Sequence, residues 1–193
     1  MKTVDCRNMA CPLPVVTVKR ALEEGGGEPL QALLDDGAPR ENVTRFAVSR
    51  GFTVSETPVE EGYLLAISGT GEAPGKARGM KNGPTVMLIA SDCLGSGPEE
   101  LGRLLMKNFI ITLLDMDELP DRMLFLNTGV MLTTEGSEAL EALEKLGNLG
   151  VEILSCGACL DFFHRKDKLV AGSVTNMFNI AESLLRAGSV VRL

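Results

Sequence analysis

A stretch rich in glycine and proline near the middle of the chain is the feature that most constrains the fold. Residues 70–84 contain four glycines and two prolines, and their apolar residues follow neither the helical nor the strand period. Such a composition breaks regular structure and is typical of a linker. The sequence therefore predicts two domains, residues 1–69 and residues 85–193, joined by this linker.

Size and charge narrow the class of protein. Each predicted domain is long enough to bury a core, and a chain of 193 residues that is 45% hydrophobic and 23% charged is ordinary for a soluble protein. The net charge is −7 and both halves are acidic, so neither carries the basic excess that nucleic-acid phosphates require. No apolar run has the length of a membrane span, and the first residues lack the pattern of a secretory signal. We therefore expect a cytoplasmic protein that binds neither nucleic acid nor membranes.

The first predicted domain has the element order βαβαββ. Glycine clusters and turn residues separate its apolar segments, and the spacing of apolar residues distinguishes helix from strand. The predicted elements are strand Thr3–Cys6, helix Pro12–Glu24, strand Leu30–Asp35, helix Arg40–Arg50, and the hairpin of Phe52–Pro58 with Tyr63–Ser68. This order predicts a two-layer sandwich of helices on one sheet.

The second predicted domain alternates apolar strands with amphipathic helices, which is the pattern of a parallel sheet. The predicted strands are Thr85–Ser91, Arg122–Leu126, Val151–Ser155, Leu169–Gly172 and Val190–Leu193. The predicted helices are Pro98–Leu114, Ser137–Leu146, a short one at Asp161–Arg165, and Met177–Ala187. We expect a three-layer α/β/α domain with a mainly parallel five-stranded sheet. The apolar residues of the last helix are expected in its core: Met177, Phe178, Ile180, Ala181, Leu184 and Leu185.

The segment Cys11-Pro12-Leu13-Pro14 places a thiol at the start of the first helix. Pro12 keeps Cys11 out of the helical region and itself suits the first helical position, so Cys11 is expected at the N-cap. Because Pro12 and Pro14 lack an N–H, Leu13 is the early donor that a Cys11 thiolate could accept, under the positive end of the helix dipole. Such a position lowers the pKa of a thiol and raises its reactivity. The alternative is a buried structural cysteine.

Cys156 and Cys159 form a C-x-x-C pair directly after a predicted strand. In an open α/β sheet this is the carboxyl edge, where reactive groups collect, and Gly157 is expected to give the turn its freedom. The spacing allows the pair to form a disulfide or to resolve a mixed disulfide or persulfide. A metal site and two inert core thiols are the alternatives. Cys93 also follows a strand, and its sulfur would share this edge if the two strands are neighbours.

The remaining cysteines and the single histidine argue against a metal site or a histidine-based triad. Five cysteines without an export signal favour reduced or reactive thiols over a disulfide framework. A zinc site would need Cys6 and Cys11 together with the C-x-x-C pair, but the first two lack the spacing of a structural zinc ligand pair. His164 is expected to be a solvated residue at a helix end. We therefore expect no metal and no bound cofactor.

The segment Asp5-Cys6-Arg7-Asn8-Met9-Ala10-Cys11-Pro12-Leu13-Pro14 resembles the D-x-R-G-x-x-C-P-x-P signature of TusA/SirA-type sulfur-carrier domains, whose element order is also βαβαββ. Asn8 stands where the signature has glycine, and asparagine tolerates a left-handed backbone well. Residues 85–193, including the segment Cys156–Asp161, resemble the DsrE/DsrF-like domain. Together the two resemble the YedF-type two-domain family, which is associated with selenium metabolism.

This resemblance implies a carrier of sulfur or selenium that is sulfurtransferase-like if it is enzymatic. Cys11 would accept a persulfide from a cysteine desulfurase, and Cys156 or Cys159 would receive it, with a transient persulfide or selenopersulfide as the only added group. Arg7 would assist the anion, and Cys6 would either resolve a disulfide with Cys11 or end a buried strand. DsrE-like relatives also imply a homo-oligomer through the second domain.

Two other functions remain open from the residues alone. One is a thiol–disulfide redox protein that works through Cys156 and Cys159, for which Cys11 would be dispensable. The other is a non-catalytic interaction or regulatory protein with inert thiols. The sequence does not distinguish sulfur from selenium, and it names neither the donor nor the final acceptor.

Overall fold

The computed structural model describes residues 2–10, 12–26, 28–69 and 83–193. The chain divides into two compact units, one within residues 1–78 and the other within residues 79–193, and each has its own sheet and core. Cys11 and residues 70–82, which include most of the predicted linker, lie outside the described residues.

The first unit is a four-stranded sheet packed against two helices. Its elements are β1 Lys2–Asp5, α1 Leu13–Glu24, β2 Leu30–Leu34, α2 Ala38–Ser49, β3 Thr53–Val59 and β4 Gly62–Ser68. The strand order is β1-β2-β4-β3, with β1 and β2 parallel and the other pairs antiparallel. The predicted βαβαββ order and two-layer architecture are confirmed.

The core of the first unit lies between its sheet and its helices. Leu30, Ala32 and Leu34 alternate along β2 and are fully or almost fully buried, because alternate strand residues point to one face. They pack with Val18 of α1 and Val43 of α2, among other apolar residues. This packing fixes the position of the carboxyl ends of β1 and β2, where the loop to α1 begins.

The boundaries of the two helices differ slightly from those expected. Helix α1 begins at Leu13, and its N-cap residue is Pro12, with φ −95° and ψ 5°. The expected N-cap position of Cys11 is therefore wrong by one residue, as is the expected helix start at Pro12. Helix α2 begins at Ala38, two residues early, because Gly37 at φ +82° makes the turn into it.

Asn8 has φ +59°, which confirms the predicted tolerance of a left-handed backbone at this position.

The second unit has three layers around a fully parallel sheet. The strands are β5 Thr85–Ile89, β6 Arg122–Phe125, β7 Glu152–Cys156, β8 Ser173–Thr175 and β9 Ser189–Arg192, and the helices are α3 Glu99–Leu113, α4 Leu140–Asn148, α5 Gly157–Phe162 and α6 Met177–Leu185. The strand order is β8-β7-β6-β5-β9. The predicted three-layer α/β/α architecture is confirmed.

Two core clusters show that both faces of this sheet are covered. Met123 and Phe125 of β6 belong to a cluster with residues of α3 and α4. Leu124, between them in the strand, belongs to a second cluster with Ile180 of α6. Successive strand residues point to opposite faces, so the helices of the two clusters lie on opposite sides of the sheet.

Two local predictions in the second unit are wrong, and one further segment was not predicted. The predicted strand Leu169–Gly172 is a loop, and β8 follows it, because Gly172 at φ +77° lies so close to β7 that a Cβ would be 2.2 Å from the Ile153 carbonyl oxygen. Helix α5 begins four residues before the predicted helical stretch. A 3₁₀ segment at Asn127–Thr133, which the sequence analysis did not predict, follows β6.

Several apolar residues of α6 face outward. Ile180 is buried, but Phe178 is 75% exposed, Leu185 is 87% exposed, and Met177 is also exposed. The expectation that all of these residues are core is therefore wrong. Only one stripe of a helix can face the sheet, and a helix that is apolar on most sides does not reveal which stripe that is.

Candidate functional site

The loop between β1 and α1 carries the Cys11 motif. Cys11 itself lies outside the described residues, but the residues on both sides of it are described. The Leu13 N–H donates to the Ala10 carbonyl oxygen at 2.9 Å, and the Val15 and Val16 N–H groups donate to the Pro12 carbonyl oxygen at 3.1 and 3.3 Å. The Leu13 donor is therefore committed within the loop, contrary to the expectation that it is free for the Cys11 sulfur. The Leu13 side chain is 49% exposed.

Arg7 pairs with carboxylates rather than standing free for an incoming anion. Its Nε donates to Asp5 Oδ1 at 3.0 Å, and its Nη2 donates to Asp5 Oδ2 at 2.6 Å. Its Nη1 lies 3.1 Å from Glu61 Oε2. The hydrogen bonds from Arg7 lower the pKa of Asp5 to about 2. Two carboxylates thus compensate the guanidinium, which makes Arg7 an anchor of the loop.

A third carboxylate, that of Asp35, which the sequence analysis did not single out, holds the middle of this loop. The Asn8 N–H donates to Asp35 Oδ2 at 2.7 Å. Asp35 directly follows β2, the parallel neighbour of β1, so the carboxyl ends of both strands contribute to holding the loop. The only sequence signal for this contact is an acidic residue just after a buried strand.

Cys6 is buried in the core of the first unit. It is fully inaccessible, its N–H donates to the Leu33 carbonyl oxygen at 2.8 Å, and its side chain belongs to the core cluster. Burial raises the pKa of the Cys6 thiol, and the negative charge of Asp5 raises it further. Of the two roles expected for Cys6, this geometry favours the buried strand-end residue over the resolving thiol.

The pair Cys156 and Cys159 lies at the carboxyl end of β7. Cys156 ends the strand and is only 2% exposed, whereas Cys159 is in α5 and is partly exposed. The Asn127 N–H donates to Cys159 Sγ at 3.1 Å. Burial and a hydrogen bond with Cys156 raise the pKa of Cys159, and the Asn127 amide opposes them. The pair therefore combines an inaccessible thiol with an accessible one.

Asn127 is a site residue that the sequence analysis missed. It begins the 3₁₀ segment after β6 and has φ +47°, a left-handed conformation in which asparagine is enriched. Gly129 packs so tightly on the end of β5 that a Cβ there would be 2.4 Å from the Ile89 carbonyl oxygen. The sequence Asn-Thr-Gly after a buried strand is the signal that could have predicted this turn.

Gly157 is required for space rather than for backbone freedom. Its φ is not positive, but a Cβ at this position would lie 3.0 Å from Val174 Cγ1 and 3.3 Å from the Thr175 carbonyl oxygen. The expected reason for this glycine is therefore wrong. Strand β8 approaches the backbone between the two cysteines closely and holds it in place.

Cys93 lies in the loop after β5, and the condition under which it would join the C-x-x-C pair, that β5 and β7 are neighbours, is not met. Strand β6 lies between them, because the register pairs it with both. Cys93 Sγ donates to the Glu99 carbonyl oxygen at 3.7 Å, and burial, together with Asp92, raises the pKa of Cys93. The Asp92 N–H donates to Thr128 Oγ1 at 3.3 Å. Residues 127–128 therefore contact both the Cys93 loop and Cys159.

No metal-binding cluster of three or more histidine, cysteine or acidic residues is found in the described part of the chain. His164 lies just past α5 with φ +53°. Within the described ranges, no helix has the length and apolar character needed to cross a bilayer.

The fold and the positions of the cysteines define the class of protein: an α/β protein of two units, each of which has a cysteine at the carboxyl end of a strand. Residues 2–68 match the family described as Sulfurtransferase TusA. Over 55 residues, the chain is 44% identical to a candidate sulfur carrier protein of Methanocaldococcus jannaschii. These residues are 28% of this chain and 73% of that relative. The chain therefore belongs to the TusA family through its first domain.

Three similar solved structures each match a different share of this chain. A SirA-like protein from Desulfitobacterium hafniense has 28% identity and a TM-score of 0.33, covering 36% of this chain and all of that one. The YchN protein from E. coli has 18% identity and a TM-score of 0.45, covering 57% of this chain and 99% of that one. A protein of unknown function from Methanobacterium thermoautotrophicum has 20% identity and a TM-score of 0.40, covering 56% of this chain and 97% of that one.

Proposed function

We propose that the protein is a sulfur carrier that holds sulfur as a persulfide on Cys11. The observation that carries this proposal is the family match over residues 2–68, which includes Cys11, together with the related carrier that is 44% identical. The loop contacts support it. Asp5 and Asp35 hold the residues just before Cys11, and Pro12 and Pro14 rigidify those after it. Holding the neighbouring residues in place before a partner binds lowers the entropy cost of binding.

The donor in this proposal is a cysteine desulfurase. The Cys11 thiolate attacks the terminal sulfur of the donor's persulfide, a new S–S bond forms, and the donor cysteine leaves as a thiolate with the electron pair. The half-exposed Leu13, two residues after Cys11 in the sequence, offers the partner an apolar contact. No bound cofactor takes part.

The acceptor in this proposal is the Cys156/Cys159 pair of the second domain. Placing carrier and acceptor on one chain raises their effective concentration for each other. The resemblance of the second domain to DsrE/DsrF-like domains supports this assignment, and the YedF-type resemblance extends the cargo to selenium. A cytoplasmic location and a homo-oligomer through the second domain remain predictions. The oligomer is tested by light scattering of the full chain in solution.

A desulfurase loading assay tests the carrier role of Cys11. The full chain is incubated with a cysteine desulfurase and cysteine, and the added sulfur is measured by intact mass spectrometry under non-reducing conditions. We expect sulfur on the wild type and on Cys93→Ser, the control, and a large loss on Cys11→Ser. Retention of all added sulfur by Cys11→Ser would contradict the proposal.

A thiol–disulfide redox protein is the second candidate, because Cys159 is partly exposed and packs against the cluster that contains Cys156. This function needs the pair but not Cys11. Titration of the Cys156/Cys159 pair in a defined dithiol redox buffer, together with a disulfide-reductase assay, distinguishes the redox protein from the carrier. Full activity of Cys11→Ser as a disulfide reductase, with no desulfurase-dependent loading of the wild type, would favour the redox protein over the carrier.

A further inference from the structure

We propose that the two cysteines of the second domain have separate roles, in which Cys159 accepts the sulfur and Cys156 then expels it as hydrosulfide, with the Asn127 amide positioning the accepting sulfur. This inference rests on the proposed function, since it assigns the chemistry of the acceptor pair. It makes the second domain a site of reductive release rather than a second carrier.

Access decides which sulfur reacts first. Cys156 is the buried last residue of β7, while Cys159 is partly exposed. A persulfide held by another protein segment has to reach the attacking thiol, and access is one of the factors that set the rate of thiol exchange. Val174 and the Thr175 carbonyl oxygen lie against Gly157, between the two cysteines, and limit movement of this segment. Cys159 is therefore the first acceptor.

The Asn127 amide is aimed at the accepting sulfur. Its N–H donates to Cys159 Sγ at 3.1 Å, and a backbone donor stabilises a negative sulfur relative to a neutral one. The left-handed backbone of Asn127, and the contact of Gly129 with the end of β5, hold this donor in place. The amide acts on Cys159, and Cys156 receives no such contact from Asn127 in the structure.

Acceptance is a balanced sulfur transfer. The Cys159 thiolate attacks the terminal sulfur of a persulfide, the new S–S bond forms, and the donor cysteine leaves as a thiolate with the electron pair. The resulting persulfide on Cys159 loses its proton to solvent and becomes a perthiolate. No change in the total number of electrons on sulfur is involved in this step.

Release uses the neighbouring thiol. Cys159 packs against the apolar cluster that contains Cys156, and the two cysteines are three positions apart at the start of α5, a spacing that lets the Cys156 sulfur reach the atom that it has to attack. Cys156 forms an S–S bond with Cys159 Sγ, the bond from Sγ to the terminal sulfur breaks, and that sulfur leaves with the electron pair and the Cys156 proton as hydrosulfide. The Cys156–Cys159 disulfide is then reduced by an external dithiol, which supplies the two electrons of each cycle.

A chemical persulfide donor tests this assignment independently of Cys11. The full chain carrying Cys11→Ser is treated with glutathione persulfide, and hydrosulfide and site-mapped persulfide are measured. We expect hydrosulfide and a Cys156–Cys159 disulfide from this background. Adding Cys156→Ala should trap persulfide on Cys159 and abolish the protein-dependent release, and adding Cys159→Ser should abolish both. The assignment would be overturned if the Cys11→Ser/Cys159→Ser protein carried as much persulfide, on Cys156, as the Cys11→Ser protein carries in total.

Failure of this inference is distinguishable from failure of the carrier proposal. If the pair takes no sulfur from glutathione persulfide while Cys11 is still loaded by a desulfurase, the inference is wrong and the carrier stands. Because Cys156→Ala alters a buried site, early time points on the Cys11→Ser background are mapped as a second measurement. Persulfide that appears first on Cys156 there refutes the order of events whatever the variants do.

The positioning role of Asn127 has its own readout. Asn127→Gly keeps the amide and the left-handed backbone, whereas Asn127→Val disfavours that conformation and displaces the N–H. The rate of Cys159 alkylation against pH is measured by peptide mapping. We expect the profile of Asn127→Val to move to higher pH, and that of Asn127→Gly to match the wild type. An unchanged profile in Asn127→Val would show that the amide does not act on this sulfur.

Discussion

Gly129→Ala tests whether the contact between the 3₁₀ segment and β5 supports the thiol site. A Cβ at position 129 would lie 2.4 Å from the Ile89 carbonyl oxygen and 3.1 Å from the Ile89 carbonyl carbon. Both atoms belong to the backbone at the end of β5, which is paired with strands on both sides, so they cannot rotate away as the end of a side chain can. The 3₁₀ segment itself has to move, and Asn127 moves with it.

The size of the effect follows from overpacking. Inserting a methyl group into a well-packed site costs about 1–3 kcal/mol. For a domain of this size we expect the melting temperature of the second domain to fall by roughly 5–15 °C. The alkylation profile of Cys159 should also move to higher pH, because its amide donor is displaced.

Gly97→Ala is the matched control, because a Cβ at that glycine meets nothing within 4 Å. The two variants are compared by calorimetry and by site-mapped alkylation against pH. We expect the control to unfold within about 0.5 kcal/mol of the wild type. Equal melting temperatures for Gly129→Ala and Gly97→Ala would refute the reasoning, since the close approach to Ile89 would then carry no energetic weight.

Three further predictions concern the cores and the Cys11 loop. Phe125→Ala removes a fully buried ring from the central strand β6 and should destabilise the second domain by about 3–5 kcal/mol in urea unfolding. Asn8→Val should lower the stability of the first domain by about 1–2 kcal/mol, because φ is +59°, while Asn8→Gly should not. The pKa of Asp5 is lowered from 3.8 to about 2, so its pairing with Arg7 stabilises the fold above pH 4 and is lost as the pH falls toward 2. Asp5→Asn should therefore flatten the acid limb of the unfolding curve, and an unchanged limb would contradict this.

Local patterns were sufficient for the element order and the layers. The apolar runs of β2, β5, β6 and β7 are visible in the sequence, and glycines mark several of the ends. The position of Cys156 and Cys159 at a strand end also followed from the sequence, because the strand boundary and the cysteines are adjacent along the chain. Where a helix is apolar on most sides, as α6 is, the pattern did not tell the buried side from the exposed one.

The amino-acid sequence by itself determined that there are two α/β units, which elements each contains, and that a C-x-x-C pair follows a strand. Only the tertiary structure decided that β6 separates β5 from β7, that Cys156 is buried while Cys159 is accessible, and that the Asn127 amide meets Cys159. The physical reason is the separation along the chain of the residues that interact. Strands and helices depend on neighbours within a few residues, whereas the surroundings of a thiol depend on backbone contacts between segments far apart in the chain.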